Sequence, residues 1–452
     1  MSTGSAPRRG LAPQRPSLNI VLEFARAEAA ASPHAFRFAA QQYLVRTPGG
    51  GIEAAELPWT PALLADLAAL REPGPPAATV HGLGHVLRDF LAGTGWAAHE
   101  QAIVAAAQAG APIRVTIRSA AAELYALPWE LLALKSSGQL LGGVPGLVIR
   151  YEWPETQSAP DPMPGSSRVG RTLLAWSAAG GAVPAADHVS ALSTSFGPLR
   201  FDPKRDVLAH TSLAALAAAL QRARSEDPAI DVLYLLSHGA AHGGNYGMVL
   251  DGADALDGPA LVDAGRLQQL IAPHAGMLRM VVIAACDGAN AGTPGNHLGS
   301  VAQMIHRAGI PVVIASRTPL RASAASRMCA ALFGSLATQT GLLTAFLAVR
   351  DALMHDATAL DWANVQLYAR AADGEPSLPP GPGERRPAPP RDGPRWPRIR
   401  PWTAVGAAST ALVLSAWHLA PGGGQTDPQP PTPPATARAS VKSSSSPRTA
   451  PW

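Results

Sequence analysis

Four short, nearly unbroken apolar runs mark the second half of the sequence: Thr172–Trp176, Val232–Leu236, Met280–Ala285 and Pro311–Ala315. Segments of helical period lie between and around them, at 188–196, 212–224, 262–271, 298–308 and 323–338. A strand that is apolar on both faces must be buried on both faces. A helix between two such strands is the ordinary crossover of a parallel pair. The alternation therefore predicts a mostly parallel α/β sheet with helices on both faces. In such sheets, reactive and ligand-binding groups gather in the loops beyond the carboxyl ends of the strands.

The first half has a different pattern. Leu18–Phe24 and Phe36–Val45 have strand character and suggest an antiparallel pair. Pro61–Leu70 and Val80–Leu91 have helical period, and Ile113–Ser119 alternates like a half-buried strand. Leu127-Pro128-Trp129-Glu130-Leu131-Leu132 opens a short helix with proline near its first turn, and Leu147–Tyr151 is a further strand. A Pro/Ser-rich loop at 154–170 separates the halves. The expected organisation is a disordered N-terminus at 1–17, an α/β subdomain at 18–153 and a second α/β domain at 170–372. No repeat of 20–50 residues is visible, so a solenoid is not expected. Met1–Pro16 carries Arg8, Arg9 and Arg15 without a long apolar run after them, so a secretory signal is not expected.

The net charge of +4 invites a nucleic-acid reading until it is located. Residues 373–452 hold nine basic and five acidic side chains, leaving 27 of each sign in residues 1–372. The same stretch holds 18 of the 44 prolines. Proline removes backbone donors, and this composition is too poor in large apolar groups to form a core. Residues 373–401 are expected to be a Pro/Arg-rich linker and 420–452 a disordered tail. Between them, Thr403–Leu419 has no Asp, Glu, Lys or Arg, and Trp402 and Trp417 bracket it. As a helix it would span roughly 25 Å, close to the hydrocarbon thickness of a bilayer. Arg385, Arg386, Arg391, Arg395, Arg398 and Arg400 precede it, and the next basic residue is Arg438. The expectation is a single transmembrane helix at 402–419 in the cell membrane, with the N-terminal bulk cytoplasmic.

Two strand ends carry chemistry. One reads Leu235-Leu236-Ser237-His238-Gly239, the other Ile283-Ala284-Ala285-Cys286-Asp287-Gly288. His238 and Cys286 each follow an apolar strand, so both are expected on the same edge of the sheet. A thiol assisted by an imidazole can attack a carbonyl carbon, and the backbone N–H groups of Gly239 and Cys286 are candidate oxyanion donors. The histidine lies 48 residues before the cysteine. That order and spacing match the arrangement known for caspases, with a histidine about 50 residues upstream of the nucleophile. Cys329 falls in an Ala/Ser-rich helical stretch and is expected to be a packed thiol. His81 and His85 have a zinc-ligand spacing, but Gly82 and Gly84 lie between them and no acidic or thiol partner is near. No metal or cofactor is expected. Phosphate-loop and G-x-S-x-G runs are absent. Gly243-Gly244-Asn245-Tyr246-Gly247 is expected to be a loop or hairpin turn beside the site.

From His238-Gly239 through Ala284-Ala285-Cys286-Asp287-Gly288 to Trp362 and Leu367-Tyr368, the sequence resembles a CHAT domain. That is a caspase-like peptidase group which includes separase relatives. Residues 127–132 resemble the family's PWELL signature, Ala308-Gly309-Ile310-Pro311-Val312-Val313 its third strand, and Ala348-Val349-Arg350 its late helix. The resemblance runs over about 18–372. It implies a caspase–haemoglobinase-like fold whose first half is a degenerate copy, with His238 as general base or acid and Cys286 as nucleophile. Two departures bear on substrate preference. Asp287 is followed by Gly288-Ala289-Asn290 where the family often has serine, and Leu320-Arg321-Ala322 stands where it often has aspartate. In such folds a peptide pairs with the backbone after the third strand, which makes Ser316 and Arg317 candidate substrate contacts, while Asp187 and Asp287 are candidates for an acidic pocket.

The expectation is a membrane-tethered cysteine endopeptidase acting on a protein substrate and switched on by a separate partner. The alternative is a non-catalytic interaction scaffold of the same fold at the membrane. The balanced charge of residues 1–372 argues against direct nucleic-acid binding.

Overall fold

The computed structural model describes residues 17–370, apart from 29–38, 48–49, 73, 155, 157–169, 227, 243–244, 254–257, 287, 289, 291–299, 339 and 357–358. The expected linker, transmembrane helix, tail and most of the disordered N-terminus lie outside the described residues. Among the described residues, no helix is long and apolar enough to cross a membrane.

Fourteen strands are described. They are β1 (Leu18–Arg26), β2 (Ala40–Arg46), β3 (Ile52–Pro58), β4 (Ile113–Ser119), β5 (Leu147–Glu152), β6 (Arg171–Trp176) and β7 (Val207–Leu208). They continue with β8 (Ile230–Leu236), β9 (His238–His242), β10 (Asn245–Leu250), β11 (Ala260–Asp263), β12 (Met280–Ala284), β13 (Val312–Ser316) and β14 (Val365–Ala369). Eleven of them make one sheet in the order β3-β2-β1-β4-β5-β14-β13-β12-β8-β6-β7. The block β13-β12-β8-β6-β7 is parallel throughout, and so is β1-β4-β5-β14. The two blocks meet antiparallel at β13–β14, while β2 and β3 add an antiparallel edge. The two halves of the chain thus share one mostly parallel sheet, joined where β14 pairs with β5.

The apolar runs divide between two cores because successive side chains of a strand face opposite ways. Leu233, Leu235, Val281, Ile283 and Val313 pack with Leu216, Leu267 and Ile305 of helices Leu213–Ala223, Ala264–Ile271 and Val301–Arg307. Val232, Tyr234, Val282 and Ile314 pack with Leu192, Phe333 and Val349 of helices Ala185–Ser195, Ala322–Ala337 and Leu342–Met354. Burial on both faces is what the unbroken runs required. The β1–β4 side is unlike this. Its apolar residues face the helices Ala77–Leu91 and Trp96–Gln108, while Arg114, Thr116 and Arg150 occupy the other face. Arg150 is nonetheless buried, donating to Thr116 Oγ1 from both Nε (3.2 Å) and Nη2 (3.0 Å).

The differences from the sequence reading have local causes. Residues 127–132 form a single 3₁₀ turn at Trp129–Leu131 rather than an α-helix, since Pro128 and the buried Trp129, Glu130 and Leu131 fix each residue separately. The predicted helix at 262–271 begins only at Ala264, because Ala260–Asp263 is strand β11 and Asp263 caps the helix by accepting from Arg266 N–H. Strands β9 and β10 lie on either side of Gly243-Gly244, which fall outside the described residues, and pair antiparallel in a separate three-stranded sheet with β11.

Candidate active site

In the parallel register of β8 and β12, Leu236 lies opposite Ala284. Both strands end at those residues, so His238 and Cys286 each stand two positions past a matched pair. Neighbouring strands are about 4.8 Å apart. The two reactive residues therefore leave adjacent chains at the same level of the carboxyl edge. Gly239 closes the arrangement. A Cβ built there would lie 1.8 Å from the carbonyl oxygen of Cys286 and 2.8 Å from its carbonyl carbon, so the two backbones touch and only glycine fits.

The loop that follows β6 holds the imidazole from the other side. His238 Nε2 is 3.1 Å from the carbonyl oxygen of Ala182. A carbonyl only accepts, so Nε2 carries the hydrogen in this bond. Gly180 lies against the ring: a Cβ there would be 2.8 Å from His238 Cβ and 3.1 Å from Cγ. Ser177 N–H bonds Leu236 O at 3.0 Å, tying this loop to the strand that delivers the histidine. Neither Gly180 nor Ala182 was singled out in the sequence. The signal available is the pair Gly180-Gly181, which begins four residues past the end of an apolar strand.

Cys286 and His238 are both half-buried, in contact with the protein and with solvent. Cys329 is another matter. It is fully buried on helix Ala322–Ala337 against Tyr234, and burial pushes its thiol pKa up to about 12. The two cysteines form no disulfide. His188 is equally enclosed, with Nδ1 2.9 Å from the Tyr234 hydroxyl, and burial pulls its pKa down to about 4. Both groups are buried core that packs against Tyr234 of β8.

The proposed substrate contacts take varied positions. Asp187 sits exposed in the first turn of helix Ala185–Ser195, five residues beyond Ala182, and accepts from Ser326 Oγ at 3.3 Å. Asp287 lies outside the described residues. Ser316 is buried as the last residue of β13, opposite Val365, and its hydroxyl donates to Thr318 O at 2.7 Å. Arg317 is also buried. Its N–H bonds Asn364 O at 2.8 Å, and its guanidinium reaches Asn364 Oδ1 and Ala126 O at 3.3 and 3.4 Å. It thereby turns toward the buried Glu130, whose carboxyl pKa is raised by burial and drawn back down by the Arg317 charge. The 127–132 segment is thus tied to the end of β13, the strand next to β12 and Cys286. Arg321 pairs instead with Asp356 and Asp361 at 2.7 and 2.5 Å.

The sequence matches the CHAT domain family over residues 91–370, more than half of the chain. The chain belongs to that family. The matched stretch runs from the end of helix Ala77–Leu91 through β14, and so takes in both reactive strand ends; β1 to β3 precede it. Solved structures give remote likenesses to this CHAT domain. A Saccharomyces cerevisiae separase–securin complex aligns at 10% identity and a TM-score of 0.35, covering 57% of this chain and 15% of that one. The Arg-specific cysteine proteinase gingipain R (RgpB, from Porphyromonas gingivalis) aligns at 11% and 0.37, covering 68% and 69%. A secreted C11 cysteine protease from Bacteroides thetaiotaomicron aligns at 14% and 0.27, covering 38% and 56%. Among curated proteins none matches. The assignment rests on the family match.

Proposed function

We propose that this CHAT-family chain is a cysteine endopeptidase. The observation that carries the reading is the β8–β12 register, which delivers His238 and Cys286 from adjacent strand ends with Gly239 packed on the Cys286 carbonyl. Nδ1 of His238 takes the thiol proton as Cys286 Sγ bonds to the substrate carbonyl carbon. The electron pair of the carbonyl π bond moves to oxygen, where N–H groups of Gly239 and Cys286 receive the negative charge. Collapse restores the carbonyl and breaks the C–N bond, the leaving amine taking the proton from His238. Water, deprotonated by the same imidazole, then hydrolyses the thioester. The carbonyl of Ala182 holds the ring in the required tautomer throughout.

The reading extends to place and control. Residues 402–419 anchor the chain in the membrane, the six arginines before them keep the peptidase on the cytoplasmic side, and the Pro/Arg linker gives it lateral reach. A separate protein switches it on. Carbonate extraction of membranes tests the anchor: full-length chain is expected to stay with the bilayer, and a chain ending at Pro401 to be released. Release of both removes the anchor. Mapping of new protein N-termini in cells with wild type against Cys286→Ala identifies substrates; identical maps contradict peptidase activity.

A further inference from the structure

A cavity of about 430 Å³ opens on the same edge of the sheet as the reactive pair. Its walls come from both halves of the chain: Pro75, Val80 and His81 at the start of helix Ala77–Leu91, Leu140 before β5, and Leu360 and Trp362 before β14. Among the described residues that line it there is no Asp, Glu, Lys or Arg, and His81 is the single ionisable group. Its volume lies in the range of ligand pockets, roughly 300–1,000 Å³.

Two contacts connect the cavity to the catalytic edge. On one side, Asn364, two residues past Trp362, accepts the N–H of Arg317 at the end of β13. On the other, Arg71, three residues before the lining Gly74, lies 4.9 Å over the ring of Tyr246 on the hairpin that begins at His238. Strand β14 is two positions from β12 in the sheet. Two strand spacings are roughly 10 Å, and an extended peptide rises about 3.3 Å per residue. A peptide with its scissile bond at Cys286 that runs across the end of β13 reaches the cavity about three residues away. An uncharged wall of proline, valine, leucine and tryptophan favours an apolar side chain and penalises an unpaired charge.

We propose that this cavity is a specificity pocket for a bulky apolar side chain (leucine, phenylalanine or tryptophan) about three residues from the bond cleaved. The inference rests on the peptidase reading of Cys286, and its test is separable from it. Acetylated peptides ending in a cysteamine disulfide, with one varied residue at each of four positions in a glycine background, exchange onto Cys286 in the full-length protein without any turnover. Intact mass gives the captured fraction. Peptides with Leu, Phe or Trp near the third position are expected to be captured at least ten-fold more than those with Asp, Lys or Gly. Ala77→Trp, which fills the cavity from an exposed rim position, is expected to remove that preference. Leu360→Ala, which enlarges it, is expected to shift it toward Trp. Capture that is absent, indifferent to the residue or unchanged by both variants overturns the pocket. Capture with the expected preference in a protein whose Cys286 no peptide electrophile labels overturns the peptidase reading and leaves an apolar-peptide site.

Discussion

At the scale of single residues, the two cysteines and the two glycines at the site make opposite demands. Cys329 is held as a thiol by burial, with a pKa near 12, so at pH 8 roughly one molecule in ten thousand carries its thiolate. A disulfide-exchange reagent at that pH is expected to titrate one thiol per native chain and two in denaturant; two in the native protein would contradict the assignment. Gly239→Ala would put a methyl group 1.8 Å from a carbonyl oxygen, which no rotamer relieves. The two strand ends must part, and a displacement of about 1 Å can cost roughly a hundred-fold in rate. A loss of Cys286 labelling of at least that size is expected, at a stability cost of about 1–3 kcal/mol. The histidine and cysteine were readable from their positions after apolar strands. Gly180 and Ala182 were not, since a backbone carbonyl that orients a ring leaves no mark in residue type. Asp231 gives a pH test at the opposite end of β8. It accepts Gly170 N–H at 2.7 Å, yet burial pushes its pKa up to about 6 from an ordinary 3.8. The folded state therefore holds the proton more tightly than the unfolded chain, so this group's stabilising contribution is present below pH 3.8 and is lost as pH rises through 6. Asp231→Asn is expected to gain on wild type as pH rises from 4 to 6, by up to about 3 kcal/mol, and to hold that gain at pH 8. A difference that does not depend on pH would contradict it.

At the scale of elements, the strands buried on both faces were the most legible part. The starts of β6, β8, β12 and β13 fall within two residues of the apolar runs, because a short run with no polar face can be stable only where both faces are covered. Elements stabilised by one partner were harder. β3 buries only Ala55 and Leu57, so its sequence has no clear alternation. The hairpin β9–β10 begins at His238, and the glycines of that stretch suggest a turn without announcing the strands. Helix Ala77–Leu91 is instructive. Gly82 and Gly84 argued against a metal-binding pair at His81 and His85. The packing supplies a positive reason for Gly84, whose Cβ would lie 2.5 Å from Leu131 O. The helix thus seats directly on the turn that carries Trp129 and Glu130. Gly84→Ala is expected to cost about 1–3 kcal/mol despite its better helix propensity. Gly82→Ala, where a Cβ meets nothing, is expected to be neutral or stabilising. Equal melting temperatures for the two variants would contradict this packing.

At the scale of the molecule, an internal boundary near 154–170 was visible as composition, but the continuity of the sheet across it was not. The pairing of β14 with β5 joins segments more than 200 residues apart, and no local pattern announces a contact of that range. One sheet shared by both halves implies that they unfold together. A single calorimetric transition is expected for residues 18–372, and an isolated 18–153 fragment is expected to lack cooperative unfolding. Two resolved transitions would contradict that coupling. The excess positive charge belongs to residues 373–452, so the part of the chain that bears Cys286 is electrically balanced. The central claim is that this balanced body presents Cys286 as a nucleophile assisted by His238. A peptide acyloxymethyl ketone incubated with wild type, Cys286→Ala and His238→Ala, read by intact mass, tests it most directly. Wild type is expected to gain one adduct, mapped to Cys286, with the alanine variant unlabelled and the histidine variant slowed at least a hundred-fold without loss of fold. An adduct that persists in Cys286→Ala, or forms equally fast without His238, would contradict it.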